Sequence, residues 1–303
     1  MTENRYDGNG SRSPQWWPSR YGAEDKVGTG NELTSDRTLQ ALRLPKSGKV
    51  IRLAQELHRG APGYGLRKYN QIILAHETLH ETRFGPEGGE MTAFEEFATS
   101  TFHIGCHMDG LGHLGINGRF YNGKKYGEFY EPGGYKMYGS ETFPQWVTRG
   151  VMLNICAIEN TDQLPEDFEV TPEHLEAAQK RQGVEVRAGD AILVHTGWSS
   201  RYVSPEDYVG REPGPGWDAA HWMTDRHVSV VGTDNWGFEL FPGDPERPFV
   251  CHQHLLAETG TYIVENVDTR PLVAGDHSEF LWIMSPLRIR GATGSWVAPL
   301  AVV

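Results

Sequence analysis

Cysteine is scarce in this sequence. Cys106, Cys156 and Cys251 are three among 303 residues, too few and too scattered for a disulfide framework or a four-cysteine zinc site, and they read as free thiols. No apolar run reaches the roughly 18 residues that a membrane-spanning helix requires. The opening Met1-Thr-Glu-Asn-Arg-Tyr-Asp lacks the basic-then-apolar order of a signal peptide, so a cytoplasmic protein is expected. Basic charge is also short: 28 Lys and Arg face 40 Asp and Glu, and the net charge of -12 repels phosphate backbones and anionic headgroups. Nucleic acid and membrane are thereby disfavoured as partners, and a small-molecule substrate is expected. There is no internal repeat and no low-complexity tract.

The 36 glycines and 18 prolines are spread along the chain and imply many turns, so loops should build much of any site. With 38% hydrophobic residues and no compositional break, the chain is expected to form one domain over residues 21–303, preceded by an irregular arm, 1–20. The Trp16-Trp17-Pro18 of that arm suits packing either on a neighbouring subunit or on its own core.

A first helix is predicted over Thr34–Leu44, capped by Thr34 or Ser35 and ended by Pro45. A second follows Thr171, with proline in its first turn, Lys180 and Arg181 late, and Gly183 to close it. Short apolar runs bounded by turn residues predict strands at Val151–Ile158, Ala191–Thr196, His227–Gly232, Thr261–Glu265 and Phe280–Met284. Val250 to Thr259 reads as a short helix closed by Gly260 and leading straight into the strand at Thr261. Several strands with a few helices suit an α/β or mixed α+β layered domain.

The sharpest local feature is His103-Ile-Gly-Cys-His107-Met-Asp109-Gly-Leu-Gly-His113. Any one of these histidines, taken singly, is an ordinary core or surface residue, but three with a carboxylate inside eleven residues form a donor set. The glycines oppose a continuous helix, and in an extended chain the odd-numbered residues 103, 107, 109 and 113 share a face. Neutral imidazole and carboxylate are the donors that zinc or manganese accepts. Cys106 alternates with them and should point away.

At these residues the sequence resembles the cyclase superfamily of metal-dependent hydrolases, which includes bacterial kynurenine formamidase and isatin hydrolase and whose hallmark is His-x-Gly-Thr-His-x-Asp-x-Pro-x-His. Cys106 stands where threonine is usual and Leu111 where proline is usual; neither is a ligand position. The likeness extends in order through Tyr121-Asn-Gly, Thr196-Gly-Trp198, Gly232-Thr-Asp234-Asn-Trp236, His252-Gln-His-Leu-Leu, Glu265-Asn and Gly291-Ala-Thr-Gly-Ser. It implies a swivelling β/β/α single domain with a central mixed sheet and flanking helices, and a homodimer or homotetramer. It also implies one or two divalent metal ions: Asp109 bridges, His103 and His107 complete one position, His252 and Glu265 the other, and His113 moves the proton. His254 is the local rival to His252, on a different helical face. The activity implied is cleavage of an amide, lactam, lactone or ester of a small cyclic or aromatic substrate, with arylformamidase-like C–N cleavage foremost.

Two other readings compete. His76-Glu77-Thr-Leu-His80 matches the His-Glu-x-x-His pattern of zinc proteases, although no third ligand follows at a protease spacing. A metal-containing binding protein without turnover is the other. Trp198, Trp236 and Tyr121 are candidate substrate contacts for a flat ligand. Asp234 reads as a turn cap, His195 as a hydrogen-bonded core histidine, and Arg201 as a solvated side chain.

Overall fold

A nine-stranded mixed sheet organises the chain, seen in a computed structural model that describes residues 16–74 and 94–303. Its centre is four parallel strands, β5 (Trp146–Asn154), β7 (Ala191–His195), β9 (Val230–Thr233) and β10 (Tyr262–Glu265). On one side it continues through the antiparallel strands β11 (Glu279–Met284), β13 (Leu300–Val302) and β1 (Val50–Arg52). On the other it ends in β4 (His107–Asp109) and β12 (Gly294–Trp296), also antiparallel. A separate ribbon pairs β2 (Asn70–Ile73) with β3 (Glu96–Thr99), and a short parallel pair joins β6 (Glu169–Val170) to β8 (Gly214–Pro215). This is the mixed α+β domain expected, with a large curled sheet and flanking helices.

Strand alternation divides the interior into two cores. Met152, Leu193, Tyr262 and Val264 enter one core with Trp146, Phe280 and Trp282. Val151, Leu153, Ile192, Val194, Val231 and Ile263 enter the other, against the helices Pro172–Gln182 and Trp217–Asp225. Among the described residues no helix is long and apolar enough to cross a membrane.

Local chemistry explains where elements start and stop. Thr34 accepts the Arg37 N–H and opens the helix Ser35–Ala41, which ends before the predicted limit at Pro45. The helix Pro172–Gln182 matches its prediction, with Gly183 in the left-handed region at φ 66°. The strand expected at Val151–Ile158 instead begins at Trp146 and stops at Asn154, whose side chain accepts the Ala157 N–H at 3.0 Å and starts the helix Ile155–Glu159. His227 has φ 56°, which a strand does not accommodate, so β9 starts only at Val230. The helix expected over Val250–Thr259 has one ordinary turn, Val250–His252, then a wider i→i+5 coil, Gln253–Thr259, closed by Gly260.

Residues 16–25 lie against their own chain. Trp17 receives the Arg119 guanidinium 4.8 Å from its ring centre, and the Ser19 N–H donates to Asn122 Oδ1. His76, Glu77 and His80 fall outside the described residues.

Candidate metal centre

The centre grows from the pairing of β4 with β10. Glu265 lies opposite His107 and Ile263 opposite Asp109, so the pleat puts both carboxylates and the imidazole on the same sheet face. Met108 and Val264, between them, go to the opposite core. Glu265 ends its strand, at the carboxyl edge of the parallel strands, where open sheets of this type leave room for ligands.

An extended stretch over 103–113 was the expectation, but only His107–Asp109 is extended. Bends on both sides do the gathering instead. The chain turns through Gly105, at φ 65°, and returns His103 over the strand; after Asp109 the His113 N–H closes a turn on the Gly110 carbonyl. β12 passes close beside them. A Cβ on Gly294 would lie 2.6 Å from His103 Cε1, so only glycine lets the edge strand approach this imidazole.

Asp109 divides its two oxygens. Oδ1 lies 2.7 Å from His103 Nδ1 and 3.4 Å from His107 Nε2; Oδ2 lies 3.6 Å from both His113 Nε2 and His252 Nε2. His107 Nε2 is also 3.2 Å from Glu265 Oε2, and His252 Nε2 is 3.1 Å from Glu265 Oε1. The structure therefore brings all six side chains, His103, His107, Asp109, His113, His252 and Glu265, to one buried locus. Two overlapping donor triads result, His103 with Asp109 and His113, and His107 with Asp109 and Glu265. His254 turns elsewhere, to Thr224 Oγ1 at 2.9 Å and Glu258 Oε2 at 2.9 Å.

The surroundings fix which nitrogen each histidine offers. His107 Nδ1–H donates to the Gly105 carbonyl at 2.8 Å, which leaves Nε2 for the centre. That Nε2 is buried without an aligned hydrogen bond, aimed between two carboxylates. Such a polar atom needs a partner, and a divalent cation bound by imidazole and carboxylate is one that suits this donor chemistry. Thr293 Oγ1 holds His103 Nε2 at 2.9 Å, and the Thr293 carbonyl accepts the Gly110 N–H. Glu239 Oε2 accepts the His252 backbone N–H at 2.9 Å and faces His252 Nδ1 at 3.2 Å.

Charge is strongly coupled across these groups. Burial alone would lower the His107 pKa, but Asp109 and Glu265 outweigh it and raise it to about 10. His252 is likewise raised, against burial, by Asp109, Glu239 and Glu265. Burial opposes ionisation of Asp109, yet the histidines around it hold its carboxyl well below the ordinary range; burial and the Asp109 charge likewise oppose ionisation of Glu265, but His107 and His252 lower it. His113 goes the other way. Its burial dominates, and with the neighbouring His103, His252 and Arg67 it outweighs the pull of Asp109 and lowers the pKa to about 3. The His113 ring is neutral near pH 7 and stacks on His103 at 3.9 Å.

The three aromatic candidates have different places. Trp236 stacks on Tyr64 at 4.6 Å and meets Phe241 edge-on at 5.0 Å; Phe249 continues this row to His252 at 5.5 Å. Trp198 is fully buried behind it and donates Nε1–H to the Tyr208 carbonyl at 3.0 Å. Tyr121 is not brought to the centre: its hydroxyl donates to Asp25 at 2.7 Å and its ring abuts Gly260, at the end of β10 remote from Glu265. Asp234 accepts from Thr196 N–H and Oγ1–H and lies 3.3 Å from His195 Nδ1, a buried network apart from the donor set. Arg201 is exposed and lies over the Trp198 ring.

Glu239, Thr293, Tyr64, Phe241 and Phe249 were not identified as site residues from the sequence. Thr293 stood within the motif Gly291-Ala-Thr-Gly-Ser, which marked its neighbourhood; no spacing signal marks Glu239 or Tyr64.

Residues 51–240 match the profile of a family described as putative cyclase. That stretch contains His103 to His113 and stops before His252. No curated protein sequence matches the chain. Among solved structures, one described as a novel cyclase is 24% identical, with a TM-score of 0.84 over 94% of this chain and 96% of that one. An isatin hydrolase bound to the product analogue thioisatinate is 18% identical, with a TM-score of 0.65 over 89% and 99%. Isatin hydrolase A from Ralstonia solanacearum is 20% identical, with a TM-score of 0.62 over 84% and 91%. These likenesses are likenesses of fold.

Proposed function

This chain belongs to the putative cyclase family, and from that premise we propose that it is a metal-dependent hydrolase of a small cyclic or aromatic amide, lactam, lactone or ester. The observation that carries the reading is the convergence of His107 Nε2, His252 Nε2, Asp109 and Glu265 beside His113, whose Nε2 lies 3.6 Å from Asp109 Oδ2.

His103, His107, Asp109, His252 and Glu265 are the residues that would hold one or two divalent ions, with zinc and manganese suited to these donors. When bound, such an ion supplies a Lewis acid that polarises a carbonyl oxygen and makes water acidic near neutral pH. The protein's own groups do the rest. Gly105, Thr293 and Glu239 orient the imidazoles, so the donors are arranged before ligand arrives. His113, with Nε2 3.6 Å from Asp109 Oδ2, takes a proton from water and returns it to the leaving nitrogen or oxygen, its imidazolium favoured by the Asp109 charge. Its 21% side-chain exposure gives it access to a ligand that the buried donors lack. The row Tyr64, Trp236, Phe241 and Phe249 offers a flat ligand an apolar wall beside His252.

C–N cleavage of an arylformamide or an isatin-like lactam heads the candidate reactions, and assembly as a homodimer or homotetramer accompanies this reading. The test is elemental analysis of purified protein followed by hydrolysis assays on N-formyl anilines, isatin-like lactams and aryl lactones, with and without chelator. Turnover of any of them that chelation removes and zinc or manganese restores supports the proposal. A metal-loaded protein inert toward all three classes points to the non-catalytic binding protein instead.

A further inference from the structure

Six arginines among the described residues are half-buried: Arg37, Arg67, Arg119, Arg149, Arg226 and Arg247. Five of them pair. Arg37 meets Glu32, Arg119 donates to the Gly123 carbonyl, Arg149 meets Asp190 and Glu279, Arg226 donates to the Trp222 carbonyl, and Arg247 meets Asp244. The guanidinium of Arg67 has neither an ion pair nor a hydrogen bond among the described residues. A partly desolvated, permanently charged fork with no anion among the described residues is costly, and a ligand is one partner that can supply what is missing.

The location of Arg67 gives the exception meaning. Its loop is fastened to the metal-binding segment: Gly63 lies so close to Ile104, the neighbour of His103, that a Cβ there would approach Ile104 Cδ1 to 2.8 Å. The Arg67 N–H closes a turn on the Tyr64 carbonyl, and the Tyr64 ring stacks on Trp236. Its charge acts on His113. The carboxylates of the centre, Asp109, Glu265 and Glu239, are all engaged by histidines, so none serves Arg67.

We propose that Arg67 is the anion-binding, specificity-determining residue of this site, and that the substrate carries a carboxylate beside the carbonyl that is attacked. The inference rests on the hydrolase reading for the identity of that carbonyl. Guanidinium meets carboxylate through paired N–H···O bonds, which would set the ring against the aromatic row and fix the acyl group toward the donor cluster.

The test compares binding of benzamide, benzoate and phthalamate, which carries both an amide and a carboxylate, by calorimetry on the purified protein and on Arg67→Gln and Arg67→Lys. Wild type is expected to favour phthalamate over benzamide by about tenfold or more. R67Q should lose that preference while its benzamide affinity, melting temperature and metal content stay those of wild type; R67K should keep part of the preference. Equal phthalamate affinity in wild type and R67Q overturns the assignment, and so does a wild type without preference. Loss confined to benzoate assigns Arg67 to a product carboxylate and overturns the substrate claim. Should R67Q not fold, an R67K variant indistinguishable from wild type in all three affinities and an R67A variant that retains the preference would overturn it equally. Failure of the hydrolase reading is separate: it appears as absent metal-dependent turnover in wild type and leaves the binding comparison intact.

Discussion

Glu239 holds His252 at two points, accepting its backbone N–H at 2.9 Å and facing its Nδ1 at 3.2 Å, so that Nε2 is left toward Asp109 and Glu265. A carboxylate behind a ligating imidazole fixes the ring and strengthens it as a donor. Glu239→Gln should therefore lower metal affinity by about ten- to a hundredfold. Competition against a chelating dye measures this, and an unchanged affinity would deny Glu239 its positioning role.

Asp109 and His113 should separate binding from turnover. Asp109→Ala removes the carboxylate shared by four imidazoles and should abolish metal occupancy together with hydrolysis. His113→Ala should keep most of the metal and lose about a hundredfold or more in kcat. Elemental analysis beside kinetics decides it; equal metal loss in both variants contradicts the division of roles.

Metal binding should release protons. His107, raised to about 10, and His252, raised well above the ordinary imidazole value, are both charged in the metal-free protein near pH 7, and a cation must displace those protons. Affinity should rise with pH through the neutral range toward about 10. Calorimetry in buffers of different ionisation enthalpy reads the released protons, and a buffer-independent heat would refute this.

The same shifts shape the stability of metal-free protein. The His107 contribution is complete below about pH 6.5, the unfolded value, and is lost as pH rises through about 10. Asp109 and Glu265 contribute above about pH 4 and lose that contribution as pH falls through their lowered folded values. Melting temperatures of chelated protein should accordingly fall at both alkaline and strongly acidic pH. A melting curve flat across the alkaline range would show that His107 is not so coupled.

Trp198 and Tyr64 should respond oppositely. Trp198→Ala empties a fully buried site and should cost about 3–5 kcal/mol of stability. Tyr64 is 40% exposed, so Tyr64→Ala should change the melting temperature little while weakening aryl ligands through the lost Trp236 stack. Thermal melts paired with ligand titration separate the two, and a Y64A protein with full aryl affinity would remove Tyr64 from the pocket.

Residue type and spacing alone mark the donor inventory and most of the scaffold. Three histidines and an aspartate within one glycine-rich segment, a capped helix closed by Gly183, and apolar runs at Ala191, Thr261 and Phe280 are local signals, written in residue type and spacing. Boundaries differ where a single residue intervenes, Asn154 through its side-chain cap and His227 through its left-handed backbone. Convergence arises on folding: the register of β4 on β10 sets Glu265 opposite His107, and the return of a distant helix brings His252 onto Asp109. Glu239, Tyr64 and Arg67 belong to that second kind. Their significance lies in what stands beside them after folding, and contacts between residues far apart in the chain leave no period or spacing in one sequence.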